Sequence, residues 1–184
     1  MTRSSVKTNP VTGRLRALLV AAALTTSLPA LAPAATADPL DLTCAGTETV
    51  TYSPGLLLTP TPQTIGVNHV LAPCIPATVP GPTSGTTSAS VQRTASCLDL
   101  AEPGTGQTTI TWNTGQSSTF TYNRTVTNIG GNAVTTLTGA ITSGLFTGDA
   151  AVSVITGPTI NPLDCLHPGL TRRTGVVTLT ITGT

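Results

Sequence analysis

Residues 111–131 read TWNTGQSSTFTYNRTVTNIGG. Phe120, Tyr122 and Val126 fall on alternate positions, and Thr119, Thr121, Thr125 and Thr127 fall on the others. A period of two with β-branched residues is the mark of a strand with one buried face. Asn113-Thr114-Gly115-Gln116 and Ile129-Gly130-Gly131-Asn132 flank it, and Gly and Asn there supply the positive φ that hairpin turns need. The stretch is therefore the end of one strand, a turn, a second strand and a second turn. One residue breaks the pattern, because Arg124 shares the apolar parity.

The same alternation recurs along the chain. Glu48, Val50 and Tyr52 share a side, as do Thr108, Ile110 and Trp112, and as do Val177, Leu179 and Ile181. Strands are expected near 47–53, 65–71, 86–99, 108–112, 119–127, 133–141, 150–156 and 175–183. No helical periodicity appears after residue 37. The four strands from 108 to 156 read as an antiparallel meander, and the remaining four would complete a second sheet. The expected fold class is all-β, a two-sheet antiparallel β-sandwich, Ig-like or jelly-roll-like, with a small barrel as the alternative. Residues 72–85 and 157–174 are Pro-rich and read as loops, since each proline removes a ladder donor.

The first 37 residues read as an export signal. Arg3, Lys7, Arg14 and Arg16 precede the short apolar run ALLVAAAL, and Ala35-Thr36-Ala37 offers a small-residue cleavage site before Asp38. The run is too short to span a bilayer. Residues 38–184 are then a single secreted, extracellular domain. The whole chain carries a net charge of +1. Residues 38–184 hold four arginines (Arg93, Arg124, Arg172, Arg173) against seven carboxylates, a net charge of −3, with no lysine. Such a balance gives no electrostatic footprint for nucleic acid and no polybasic patch for anionic lipid.

Four cysteines, Cys44, Cys74, Cys97 and Cys165, imply two disulfides in an exported chain. Three pairings are open. Cys44–Cys97 with Cys74–Cys165 is preferred, because the first two sit at strand-like ends and the other two in Pro-rich loops. Metal binding would need close pairs such as C-x-x-C, which the sequence lacks. Asp41-Leu42-Thr43 before Cys44 is not a lipid-attachment motif.

Four features carry a family resemblance: GTETVTYSPGL (46–56), ITWNTGQSSTFTY (110–122), GAITSGLFTGD (139–149) and a cysteine ahead of the last strand. Together they resemble a group of small secreted proteins of actinobacteria. The resemblance spans most of residues 42–184. It implies secretion and a β fold, and supplies no activity and no site residues.

Three charges share apolar parity: Glu48, Arg93 (with Ala89, Val91, Ala95 and Cys97) and Arg124. A lone buried charge is costly, so the expectation is that Glu48 pairs with Arg93 or Arg124 inside the fold or at its rim. The plainer expectation is a bulge that flips parity, or an arginine whose stem is buried and whose head stays wet.

Catalytic patterns are sparse. No G-x-S-x-G elbow occurs, His69 falls in a strand, and His167 lies in a loop three residues after Asp164. Asp38, Asp41, Glu48, Asp99, Glu102, Asp149 and Asp164 form no obvious pair for glycoside hydrolysis. No cofactor or metal is expected. Phe146 is the best candidate for an exposed sugar-stacking ring, and Trp112, Phe120, Tyr122 and Tyr52 fall on core positions. Thr178, Thr180 and Thr182 make a threonine row, with Thr119, Thr121, Thr125 and Thr127 as a candidate neighbouring row. TPTP at 59–62 is a candidate for O-linked sugar. The expected function is non-catalytic: extracellular interaction with a protein or polysaccharide, or cell-surface or matrix association. A carbohydrate-binding module is the alternative, and a small extracellular hydrolase the second alternative.

Overall fold

In the computed structural model, which describes residues 40–183, the chain forms a strand wherever the sequence alternates. The strands are β1 (Leu40–Leu56), β2 (Thr61–Pro76), β3 (Gly85–Ala95), β4 (Gly104–Trp112), β5 (Ser117–Ile129), β6 (Asn132–Gly144), β7 (Ala150–Pro158) and β8 (Leu170–Thr182). Short 3₁₀ turns at Cys97–Ala101 and Pro162–Cys165 interrupt the β3–β4 and β7–β8 connections. The expected export segment lies outside the described residues.

The sandwich expectation is corrected. Each strand pairs antiparallel with the next, and β1 pairs with β8, so the eight strands close one up-and-down barrel. Alternation reports that each strand has one buried face. That is equally true of a sandwich and a barrel. Closure is decided by the β1–β8 ladder, which runs from Leu40↔Thr182 to Thr51↔Arg172 and resumes at Leu56↔Leu170.

The barrel has a packed interior. Its upper part holds Leu42, Leu71, Ile110, Trp112, Phe120, Ile141, Val177, Leu179 and Ile181. Its lower part holds a smaller cluster of Val50, Tyr52, Leu56, Ile65 and Ala95. The outer wall is hydroxylated: Thr47, Thr51, Thr109, Thr121, Thr125 and Thr178 are all exposed. That is the reverse of the apolar band a lipid-facing barrel presents. The threonine rows of β5 and β8 are not neighbours, since β6 and β7 stand between them on a convex wall.

The expected cysteine pairing is also corrected. The disulfides are Cys44–Cys74 and Cys97–Cys165. Residues 72–76 are strand, not loop: the ladder shifts between Cys44↔Cys74 and Gly46↔Leu71, so β2 carries one extra residue at Ala72-Pro73. This bulge flips the parity of β2 and turns Cys74 inward beside Cys44. Cys97 and Cys165 belong to the two 3₁₀ turns at the lower end.

Gly85 marks the tightest approach in the upper core. A Cβ there would stand 2.7 Å from the Trp112 ring, while the Trp112 indole donates to Ser118 Oγ at 2.7 Å and cannot swing away freely. Gly85→Ala is expected to destabilise the protein by about 1–3 kcal/mol. Urea unfolding checks this, and a neutral result would show that the ring is loosely held.

A lateral opening and its buried charges

The wall of the barrel is uneven. Every other joint is held by seven or more residue pairs, but β3 and β4 meet only at Gly85↔Trp112 and Thr86↔Thr111. Below Thr86 the two strands part. The consequence is visible in side-chain exposure. Ile65 and Gln63 of β2 are buried, and their partners across the ladder are Val91 and Arg93. Directly paired residues point to the same face, so Val91 and Arg93 point inward. Both are nevertheless exposed, as is Ala89. Solvent therefore reaches the inner face of β3 through the gap.

The opposite lip is thin for a reason in the sequence. Inward positions on β4 are Gly104 and Gly106. A Cβ on Gly104 would meet nothing within 4 Å, and one on Gly106 would strike the Tyr122 ring. The half-buried Tyr122 ring thus lies across β4 and floors the gap.

Behind the gap sits a charge cluster. Glu48 is 4% exposed. Its Oε1 accepts from Arg173 Nη2 at 3.2 Å, and its Oε2 accepts from His69 Nε2 at 3.0 Å. Burial alone would raise the Glu48 pKa. The His69 hydrogen bond and the charges of Arg173, His69 and Arg124 outweigh it, and the net effect holds the carboxyl below its usual range. Thr87 Oγ1 accepts from the His69 backbone N–H at 3.2 Å. Arg173 Nε is buried without a partner.

The expectation that Glu48 would pair with Arg93 or Arg124 is therefore corrected. Its partners, Arg173 and His69, were not recognised as such in the sequence. Arg173 fell inside the supposed 157–174 loop. Stepping back by twos from Ile181, Leu179 and Val177 reaches Gly175 and then Arg173, and that parity was the available signal. His69 shares its parity with Ile65 and Leu71.

Arg124 projects inward from β5 and is half-buried. Its guanidinium donates to the backbone carbonyl of Glu102, and to those of Asp99 and Leu100 at 3.5 Å each. It holds the first 3₁₀ turn, whose Asp99 carboxylate in turn accepts from the Ser96 N–H at 2.6 Å. The arginine that looked misplaced is thus a clasp for the β3–β4 connection. Burial, then the charges of Arg173 and Arg93, lower its pKa, so the three guanidiniums lie close enough to repel one another.

Three of the four arginines in residues 38–184 therefore point into the same half of the barrel. Glu48 answers one of them. Asp99 and Glu102 lie on the adjoining connection, but neither carboxylate comes within 4 Å of an arginine. Arg93 has no ion-pair or hydrogen-bond partner among the described residues.

The remaining candidates are dispersed. His167 is exposed beside the second 3₁₀ turn, away from His69. Phe146 is partly buried, packed edge-on against Trp112 with ring centroids 6.0 Å apart, so the expected exposed ring is a core contact. The void bounded by His69, Thr87, Thr108, Phe120 and Ser153 has room for about one water. Asp41 and Asp149 are the carboxylates that come together, and burial followed by the Asp41 contact raises the Asp149 pKa. Among the described residues no three His, Cys, Asp or Glu side chains gather as metal ligands. No family model, curated protein or solved structure matches the chain.

Proposed function

We propose that the chain is an exported, non-enzymatic binding module whose ligand is anionic and enters the barrel wall between β3 and β4. One observation carries the reading: inward-facing Arg93 stands exposed at the gap and without a partner among the described residues, with Arg124 and Arg173 behind it. Uncompensated positive charge in a partly dry recess favours a negatively charged partner. The two disulfides suit an oxidising compartment outside the cytosol. Glu48 and His69 have the atoms of an acid–base dyad, but the space beside them is water-sized, far below the ~300 Å³ of an ordinary small-molecule site. Their work in this reading is to hold the interior together behind the opening.

Titration of the disulfide-bonded protein with N-acetylglutamate, followed by amide NMR, tests this. Shifts are expected at residues 89–93, 104–108 and 122–124, and should vanish in Arg93→Gln. Shifts confined elsewhere, or none at saturating ligand, would defeat the reading.

A further inference from the structure

The gap offers more than charge. Asn113 N–H donates to the Ser84 carbonyl, and Thr86 pairs with Thr111. In an antiparallel ladder, the residues whose N–H and C=O face a given neighbour alternate. Even-numbered residues of β3 therefore turn their backbone groups toward β4. Below Thr86 the ladder ends, so Ser88, Ser90, Gln92 and Thr94 present peptide N–H and C=O groups to the opening with no strand among the described residues to receive them. Across the gap, Thr105, Gln107 and Thr109 do the same from β4. Such rows are templates for an added strand. Only an extended backbone supplies donors and acceptors at the matching repeat.

We infer that the opening binds a segment of extended polypeptide, which pairs antiparallel with β3 over residues 88–94 and carries a carboxylate side chain to Arg93. The inference rests on the anion-binding reading above and names its ligand class. Side chains then set a short pattern. The inner face of β3 shows Ala89, Val91 and Arg93 in turn. A residue opposite Arg93 is acidic, and the residue two positions later in the partner lies opposite Val91 and is apolar. The residue two positions further on faces Ala89, which leaves room for a larger side chain. The motif is acid-x-apolar, read from the partner's N-terminus. Main-chain bonds provide the docking and the two inward side chains the selectivity, as in strand addition generally.

A terminally blocked, fluorescein-tagged heptapeptide of threonines, with glutamate at position three and valine at position five, tests this by fluorescence anisotropy on the disulfide-bonded protein. Binding is expected to exceed that of N-acetylglutamate. Replacing the glutamate by glutamine, or Arg93 by glutamine, should weaken it about tenfold or more. Ser90→Pro removes a donor from the open side only, so it should leave the melting temperature nearly unchanged and abolish peptide binding. Should Ser90→Pro misfold, peptides N-methylated on one edge or the other replace it: one edge must lose binding and the other keep it.

Two results would overturn the strand inference while leaving anion binding intact. One is a heptapeptide no tighter than N-acetylglutamate and indifferent to N-methylation. The other is tighter binding of polygalacturonate that ignores Ser90→Pro, which would assign the opening to an acidic polysaccharide. Sedimentation showing a dimer that Ser90→Pro dissociates would give the edge to a second copy of this chain and overturn it too. Silence from both N-acetylglutamate and the peptide would remove both readings.

Discussion

Replacing Glu48 with glutamine is expected to destabilise the protein by about 3 kcal/mol, a loss of roughly 10 °C in Tm. Removing one partner of a buried ion pair commonly costs about 3–5 kcal/mol, because the other charge is left uncompensated. The lower end applies here, since the Arg173 side chain keeps 21% of its surface in solvent while that of Glu48 keeps 5%. The same asymmetry orders a second variant. Arg173→Met leaves a deeply buried carboxylate with only His69 in direct contact and the more distant charge of Arg124, and should cost more than Glu48→Gln. Combining Glu48→Leu with Arg173→Met removes both charges and should recover much of the loss.

The cost should also depend on pH. The Glu48 pKa is lowered on folding from an ordinary value of 4.5. A depressed carboxyl contributes stability that is fully present above the unfolded value and is lost as pH falls through the folded one. The gap between the natural protein and Glu48→Gln should therefore be widest near pH 6 and shrink below pH 4.5. Guanidinium unfolding at pH 6 and at pH 3 measures it. An equal gap at both would mean that the ion pair does not set the difference.

The parts of this architecture that sequence reveals are those decided one strand at a time. All eight strands announced themselves, because each buries one face and exposes the other. What stayed hidden depends on how strands meet. The β1–β8 ladder that closes the barrel leaves no mark on alternation. The extra residue at Ala72-Pro73 looked like the start of a loop, and so concealed that Cys74 returns to the inner face beside Cys44. Glu48 stands out by parity, but its partner Arg173 lies at the end of a Pro-rich stretch that reads as a loop, although it already belongs to strand β8. The opening itself arises where the β3–β4 ladder ends after Thr86. No residue type dictates that event. Gly104 and Gly106 are its nearest trace in the sequence, two inward positions on β4 with no side chain to close the wall.

The clasp at the lower end should prove as costly to remove as the ion pair. Cys97 and Cys165 are 68 residues apart in sequence. By the chain-entropy account, closing a loop of that length restricts the unfolded state by about 4 kcal/mol. The double variant Cys97→Ala/Cys165→Ala should lose about that much in urea unfolding. The loss has a location as well as a size. The bond ties together two short 3₁₀ turns that bury little of their own: Leu98 and Leu163 are both 69% exposed. Without it, the first turn is held by the Cys97 N–H donating to the Leu57 carbonyl at 2.8 Å, by the packing of Leu100 on the lower cluster, and by Arg124, through carbonyls it reaches mostly at 3.5 Å. Hydrogen exchange should accelerate over residues 96–103 and 159–169 while the upper barrel keeps its protection. A slackened connection would also let β4 drift from β3, so heptapeptide binding should weaken even though neither cysteine lies on the proposed contact. Unchanged exchange over 96–103, or a stability within 1 kcal/mol of the natural protein, would show that the β3–β4 connection is held by Arg124 and Asp99 without covalent help.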